Sequence, residues 1–345
     1  MRVLITGAAG FIGSNLTHLL ADRRPDWKIT ALDALTYAGN LANIAGLIDK
    51  KRVEFSRTDI VDAQAVSRVF EAGCFDAVLH LAAESHVDRS LMDGAAFVRT
   101  NVLGTQHLIS AARETGVKRF VHVSTDEVYG SLGPTGRFVE TTPLDPSSPY
   151  SASKAASDLM VLAAFKSHGF PGIVTRCTNN YGPYHFPEKL IPLFISNALE
   201  NKALPVYGDG MQVRSWLYVE DHCLALLAVL EGGRVGEVYN IGGAAEAEIP
   251  NIETTKAILR AVGKPESLIQ YVADRPGHDR RYAIDYTKIN RELGWKPLVQ
   301  FEAGLKRTVE WYLKNQEWWR SIKSGDYMKY YERQYGSGVQ TSVNS

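Results

Sequence analysis

The chain has 345 residues, 45% of them hydrophobic, and its 38 lysines and arginines are matched by 38 aspartates and glutamates, so the formal net charge is zero. That is enough apolar residue for a sizeable core, and neutrality excludes a global field that would draw the protein to nucleic acid or to an anionic membrane. Cys74, Cys177 and Cys223 are scattered without a CxxC pair, which argues against a disulfide framework or structural zinc and for a reducing cytoplasm, and we expect neither a leader segment nor a membrane span.

Along the first half, apolar runs at residues 3–6, 28–32, 53–57, 77–81, 120–124 and 172–176 alternate with helical patterns, among them 14–21, 102–113 and 152–168. Near-continuously hydrophobic strands separated by helices predict a doubly wound α/β fold of Rossmann type, its parallel sheet covered on both faces and its ligands at the strand carboxyl ends. From about residue 179 the texture shifts to aromatic and proline-rich loops, including 181–184, 186–187 and Leu204-Pro205-Val206-Tyr207-Gly208, before an apolar helix pattern at 221–231 and a strand-like run at 237–241. We therefore expect a dinucleotide-binding domain of residues 1–178 plus 220–242. A smaller, interleaved α/β substrate lobe is expected at 179–219 plus 243–335, with a frayed tail at 336–345.

Gly7-Ala8-Ala9-Gly10-Phe11-Ile12-Gly13 follows the first strand and opens a helix. In that context the glycines have separate reasons: Gly7 for a tight turn, Gly10 for backbone approach to a pyrophosphate, and Gly13 for close helix–strand packing. Asp33 ends the second strand, twenty positions after Gly13, where a carboxylate accepts from the adenosine ribose; the following Ala34-Leu35-Thr36-Tyr37 carries no cation. NAD is the expected cofactor, since a 2′-phosphate would face Asp33 without compensation.

Tyr150 and Lys154 are spaced i, i+4, so on a helix they share one face, and a lysine cation beside the phenol is expected to lower its pKa toward neutrality. Together with the glycine fingerprint, residues 80–83 (HLAA) and Ser124-Thr125-Asp126-Glu127-Val128-Tyr129-Gly130, this spacing resembles the extended short-chain dehydrogenase/reductases. The consecutive Asp126-Glu127 narrows the resemblance to the dTDP-glucose 4,6-dehydratases. Residues 80–90 (HLAAESHVDRS), 150–155 (YSASKA), 179–192 (NNYGPYHFPEKLIP), 216–222 (WLYVEDH) and 274–285 (DRPGHDRRYAID) carry it over nearly the whole chain.

The resemblance implies a division of labour. Tyr150, supported by Lys154, takes the C4 hydroxyl proton, and Thr125 hydrogen-bonds that hydroxyl; Glu127 removes the C5 proton and Asp126 protonates the leaving C6 hydroxyl. For NAD it implies Phe11, Ile12 and Thr36 beside the glycines, Asp59 and Ile60 at the adenine, and Leu81, Ala82, Ala83 and Thr100 further along. For the nucleotide sugar it implies Glu84 and Ser85 at sugar hydroxyls, Asn179, Arg214, Asn251 and Arg281 on the diphosphate side, and Lys189, Leu190, Pro205 and Tyr207 at base and ribose. Ser215 stands where these enzymes commonly have Asp next to the arginine. No histidine spacing suggests a metal site. A homodimer is expected, because residues 102–113 and 152–168 are apolar around more than one face. A UDP-sugar 4,6-dehydratase, a C4 epimerase and a catalytically silent NAD-binding sensor remain alternatives.

Overall fold

The computed structural model describes residues 1–274 and 277–323; the expected tail at 336–345 lies outside the described residues. Seven strands form one parallel sheet: β1 (Arg2–Thr6), β2 (Lys28–Asp33), β3 (Val53–Arg57), β4 (Ala77–His80), β5 (Arg119–Thr125), β6 (Gly172–Cys177) and, after an excursion, β10 (Val238–Ile241). Their spatial order is β10-β6-β5-β4-β1-β2-β3, the doubly wound arrangement in which strand order reverses between β1 and β4. Alternate residues of each strand feed two cores. Val3, Ile5, Leu79, Val121 and Ile173 pack on one side, and Leu4, Leu32, Val78, Phe120 and Val174 on the other. Both faces are thus sealed, and the carboxyl edge is where ligands have access.

The excursion holds β7 (Asn179–Tyr181), β8 (Leu204–Tyr207) and β9 (Val213–Tyr218), joined later by β11 (Glu248–Pro250) and β12 (Ile269–Val272). These make a three-stranded sheet, β11-β9-β7, and a two-stranded one, β12-β8. They pack with the helices Leu190–Leu199, Asn251–Val262 and Phe301–Lys314 around an aromatic core that includes Tyr181, Phe194, Trp216, Tyr312 and Trp319. Residues 204–207, expected as loop, are a strand paired in parallel with Ile269–Val272. Pro205 is tolerated there because a two-stranded sheet consists of edges, where a missing N–H costs no ladder bond. Ile289 and Trp295, late in the chain, pack back into the core of the larger sheet.

Candidate active site

A cleft of about 450 Å3 runs along the carboxyl ends of β1, β2, β4, β5 and β6 and beneath the second lobe. Its floor is the glycine turn. Gly7 has φ of +71°, and a Cβ at Gly13 would lie 2.0 Å from the Gly7 carbonyl oxygen, so only glycine lets the helix Phe11–Arg23 start this close to β1. That helix takes no side-chain cap. Its first N–H groups are therefore donors suited to a pyrophosphate, at a point where Gly10, Phe11, Ile12 and Gly13 line the cleft.

Asp33 is buried at the end of β2, where Oδ2 accepts from the Ala9 N–H at 2.9 Å and Oδ1 from the Leu35 N–H at 2.8 Å. Burial raises its pKa against those two bonds. The carboxylate pins the glycine turn and still keeps a second lone pair on each oxygen for a ribose hydroxyl. Nearby, Thr36, Ala38 and Gly39 line the cleft and bring no cation, so the residues fit NAD. Asp59 also lines it, closing its own turn by accepting from the Val61 N–H; the cap of the next helix is Asp62. Ile60, Leu81, Ala82, Ala83 and Thr100 complete this end.

The helix Pro149–His168 is started by a Ser148–Ser151 capping box with proline in its first turn, and it delivers Tyr150 and Lys154 to the cleft. Lys154 Nζ donates to the Val123 carbonyl at 2.8 Å, and burial lowers its pKa to about 8. The expectation that lysine brings the phenol toward neutrality is corrected. Burial first, and then the Glu127 charge, push Tyr150 well above its ordinary value, with a Thr125 hydrogen bond opposing. Burial outweighs the lysine cation, whose Nζ is engaged by the Val123 carbonyl of β5.

Thr125 ends β5, and the 3-10 turn Asp126–Tyr129 follows. The Thr125 hydroxyl oxygen accepts from the Glu127 N–H at 3.2 Å, capping the turn, and its side chain lies 3.4 Å from Asp126 Oδ1. Asp126 is 1% exposed whereas Glu127 is only partly buried. Burial, and next the Glu127 charge, raise the Asp126 carboxyl to about 7, against Thr178, Arg214 and Thr125. A proton-holding carboxyl thus sits beside a second carboxylate, both lining the cleft with Tyr150.

Toward the second lobe, Arg214 on β9 is buried, donates to the carbonyls of Val213 and Asp279, and stacks 4.4 Å from the Tyr282 ring. Two carbonyls and an aromatic face therefore orient the arginine where Ser215 supplies no carboxylate. Lys189 Nζ donates to the Ser85 carbonyl at 2.8 Å, and Glu188 is held at about 7 by burial, which outweighs Lys189 and its ion pair with Arg89. Glu84, Asn179, Leu190, Pro205, Tyr207 and Asn251 line the same cleft. Buried Asp126 Oδ2 and the amide oxygens of Asn179, Asn180 and Asn251 have no protein partner among the described residues. Such orphaned acceptors suit a ligand rich in hydroxyl donors.

Arg281 is the exception among the expected site residues. It does not line the cleft, because its guanidinium pairs with Glu248 at 2.6 Å and donates to the Gly133 and Gly136 carbonyls. The structure also brings in residues that spacing did not mark: Tyr282, Thr178 and Asn180 line the cleft. Asn101, within the π-helical segment Val98–Gly104, clamps both the N–H and the carbonyl of Glu84 and donates to Ser153. A π-turn inside a helix often marks a functional site, but no residue pattern announced this one.

The profile of the GDP-mannose 4,6 dehydratase family matches residues 4–308. The dTDP-glucose 4,6-dehydratase of Shigella flexneri is 52% identical over 97% of this chain and 99% of its own length. A dTDP-glucose 4,6-dehydratase of Streptomyces venezuelae, solved with NAD and TYD bound, is 50% identical and superposes with a TM-score of 0.90 over 94% of this chain and 100% of that one. The UDP-glucose 4-epimerase of Thermotoga maritima, solved with UDP-glucose, is 30% identical with a TM-score of 0.85, covering 92% of this chain and 100% of that one. By fold and by half its residues over nearly its whole length, the chain belongs to the dTDP-glucose 4,6-dehydratase family.

Proposed function

We propose that this chain is an NAD-dependent hydro-lyase that converts dTDP-glucose to dTDP-4-keto-6-deoxyglucose and water. The observation that carries the reading is the neutral-poised Asp126 next to Glu127, in one cleft with Tyr150 and Lys154. An epimerase needs a base at C4 and no acid–base pair for elimination, so this pair favours the dehydratase. The dTDP-glucose dehydratases that share half of this sequence support the thymidine nucleotide over uridine.

In this reading Tyr150 accepts the C4 hydroxyl proton, and Thr125 fixes that hydroxyl by a hydrogen bond. NAD, held by Gly7, Gly10, Gly13 and Asp33, supplies when bound a hydride acceptor and donor and a positive charge that favours the ionised phenol. A ketone at C4 acidifies C5–H. Glu127 removes that proton while Asp126 delivers its own to the departing C6 hydroxyl, so water leaves without a free hydroxide; the hydride taken from C4 then returns to C6 and a proton to C5, which completes the product with no net consumption of NAD. Arg214, Asn179 and Asn251 serve the diphosphate side, Glu84 and Ser85 the sugar hydroxyls, and Lys189, Leu190, Pro205 and Tyr207 the base and ribose. Arg281, turned to Glu248, carries no substrate role in this proposal.

We assign residues 1–178 plus 220–242 to cofactor binding and the interleaved remainder to the nucleotide sugar. No helix among the described residues is long and apolar enough to cross a membrane, and with three free cysteines we place the enzyme in the cytoplasm. Exposed Leu91, Met92, Val98, Leu103 and Leu159 lie on mutually packed helices and support a homodimer through that face. The deciding experiment incubates the purified protein in parallel with dTDP-glucose, UDP-glucose and UDP-N-acetylglucosamine and weighs the products. Loss of one water from dTDP-glucose without net cofactor consumption is expected; a product of unchanged mass, or turnover of a UDP-sugar alone, overturns the reading.

A further inference from the structure

Tyr129 closes the 3-10 turn that carries Asp126 and Glu127, yet it is 3% exposed and does not line the cleft. Its ring stacks on Phe138 at 4.9 Å, and its hydroxyl is the junction of a buried polar chain. Arg176 Nη1 donates to it at 2.9 Å, and it donates to Asn240 Oδ1 at 2.8 Å. Arg176 is itself fixed by Nε donating to Asp158 Oδ2 at 2.8 Å, with both side chains almost wholly buried. Beyond Tyr129, the Asn240 N–H donates to Glu140 Oε1 at 3.0 Å and its amide nitrogen to the Phe138 carbonyl.

The two ends of this chain hold the two halves of the chemistry. Asp158 lies on the helix Pro149–His168 one turn beyond Lys154 and two beyond Tyr150, so all three share one face. Tyr129 lies two residues beyond Glu127. Arg176, on β6 directly beside Ser124 of β5, spans them with one planar fork: Nε to the helix, Nη1 to the turn. A guanidinium bonded in two directions fixes angle as well as distance, which a lysine cannot do.

We propose that Tyr129 is a positioning residue for the elimination step, its hydroxyl and Arg176 setting the Asp126–Glu127 turn in register with the Tyr150–Lys154 helix. The proposal rests on the dehydratase reading above. Tyr129 touches no reacting atom and acts only through the turn. Burial keeps its phenol protonated, with a pKa raised to about 12, so donation to Asn240 and acceptance from Arg176 persist across the working range. Loosening the register leaves C4 oxidation intact, since Tyr150 and Lys154 are held by their own helix and by Val123, and misplaces the two carboxyls.

The test is Tyr129→Phe, which removes one oxygen and keeps the stacked ring, compared with Arg176→Lys, which keeps a charge for Asp158 and loses the fork. Purified holoenzymes are mixed with dTDP-glucose under single-turnover conditions, and reduced nicotinamide absorbance is followed against product. For Tyr129→Phe we expect water loss to slow roughly ten- to hundredfold, the scale of a misplacement of about 1 Å, with KM little changed and a reduced-nicotinamide signal that builds before product. A merely structural hydroxyl would shift the melting temperature and leave that partition alone. Normal turnover of Tyr129→Phe without the transient overturns the proposal, as does failure of this one-oxygen variant to fold; Arg176→Lys should show the same transient, and if it does not fold Tyr129→Phe decides alone. If the unmodified enzyme does not dehydrate dTDP-glucose, the functional reading has failed instead.

Discussion

Replacing Asp126 by Asn should cost the enzyme its elimination step and make the protein more stable. The Asp126 carboxyl is lifted from 3.8 to about 7, first by burial and then by the Glu127 charge. A raised carboxyl pKa means the unfolded chain gives up its proton more readily than the folded one. The folded state is therefore unpenalised below 3.8, and loses stability progressively as pH rises from there to about 7. Carried through that window, about three pH units at about 1.4 kcal/mol each give an upper limit of about 4 kcal/mol at pH 8. For a chain of this size, with an unfolding entropy on the order of 0.7 kcal/mol/K, that is at most about 6 °C in melting temperature. Asparagine keeps the shape and needs no charge, so Asp126→Asn should melt a few degrees higher than the parent at pH 8 and about the same at pH 3.5. Its rate of water loss should fall by roughly 10²–10⁴, the usual worth of a positioned general acid. Calorimetric melts at the two pH values with a product assay decide the matter. A variant no more stable at pH 8 than its parent, or one that still eliminates normally, refutes the view of Asp126 as a buried, proton-holding acid.

Other consequences separate the remaining roles. In Glu127→Gln the Tyr150–Lys154 machinery is untouched, so reduced nicotinamide absorbance should build up on dTDP-glucose, whereas Tyr150→Phe should give no such signal; normal turnover by the Glu127 variant would dismiss it as the C5 base. Substrate deuterated at C4 should yield product deuterated at C6, and finding only solvent hydrogen there rules out internal hydride return. Asp33→Gly should narrow the preference for NAD over NADP by roughly tenfold or more, the scale of a hydrogen bond to a charged group, and equal titration affinities in the parent would remove Asp33 from that role. Leu159→Glu, a charge on an exposed apolar side chain, should turn a dimer into monomers by light scattering; a parent already monomeric at micromolar concentration excludes the dimer.

The local parts of this protein are written in local pattern. Strand and helix periods located the strands of the seven-stranded sheet, and the helices 149–168 and 219–232 begin within three residues of their expected starts, because burial on both faces leaves a repetitive apolar signature. The glycine turn with Asp33, and Tyr150 with Lys154, are likewise readable, since each depends on spacing within one element. What spacing does not carry is depth and direction. Asp126 and Glu127 are equivalent as letters, and only the path of the chain behind β5 makes one of them 1% exposed and hence an acid. Arg214 and Arg281 are equally good phosphate ligands by type; an isolated bridge of Val213 to Arg281 lays their two segments side by side, and Glu248 captures the second while Tyr282 stacks on the first. The strand at 204–207 exists because of a partner more than sixty residues later. The protonation of Tyr150 is decided by its burial first and then by the Glu127 charge beside it, an environment that exists only once the chain has folded.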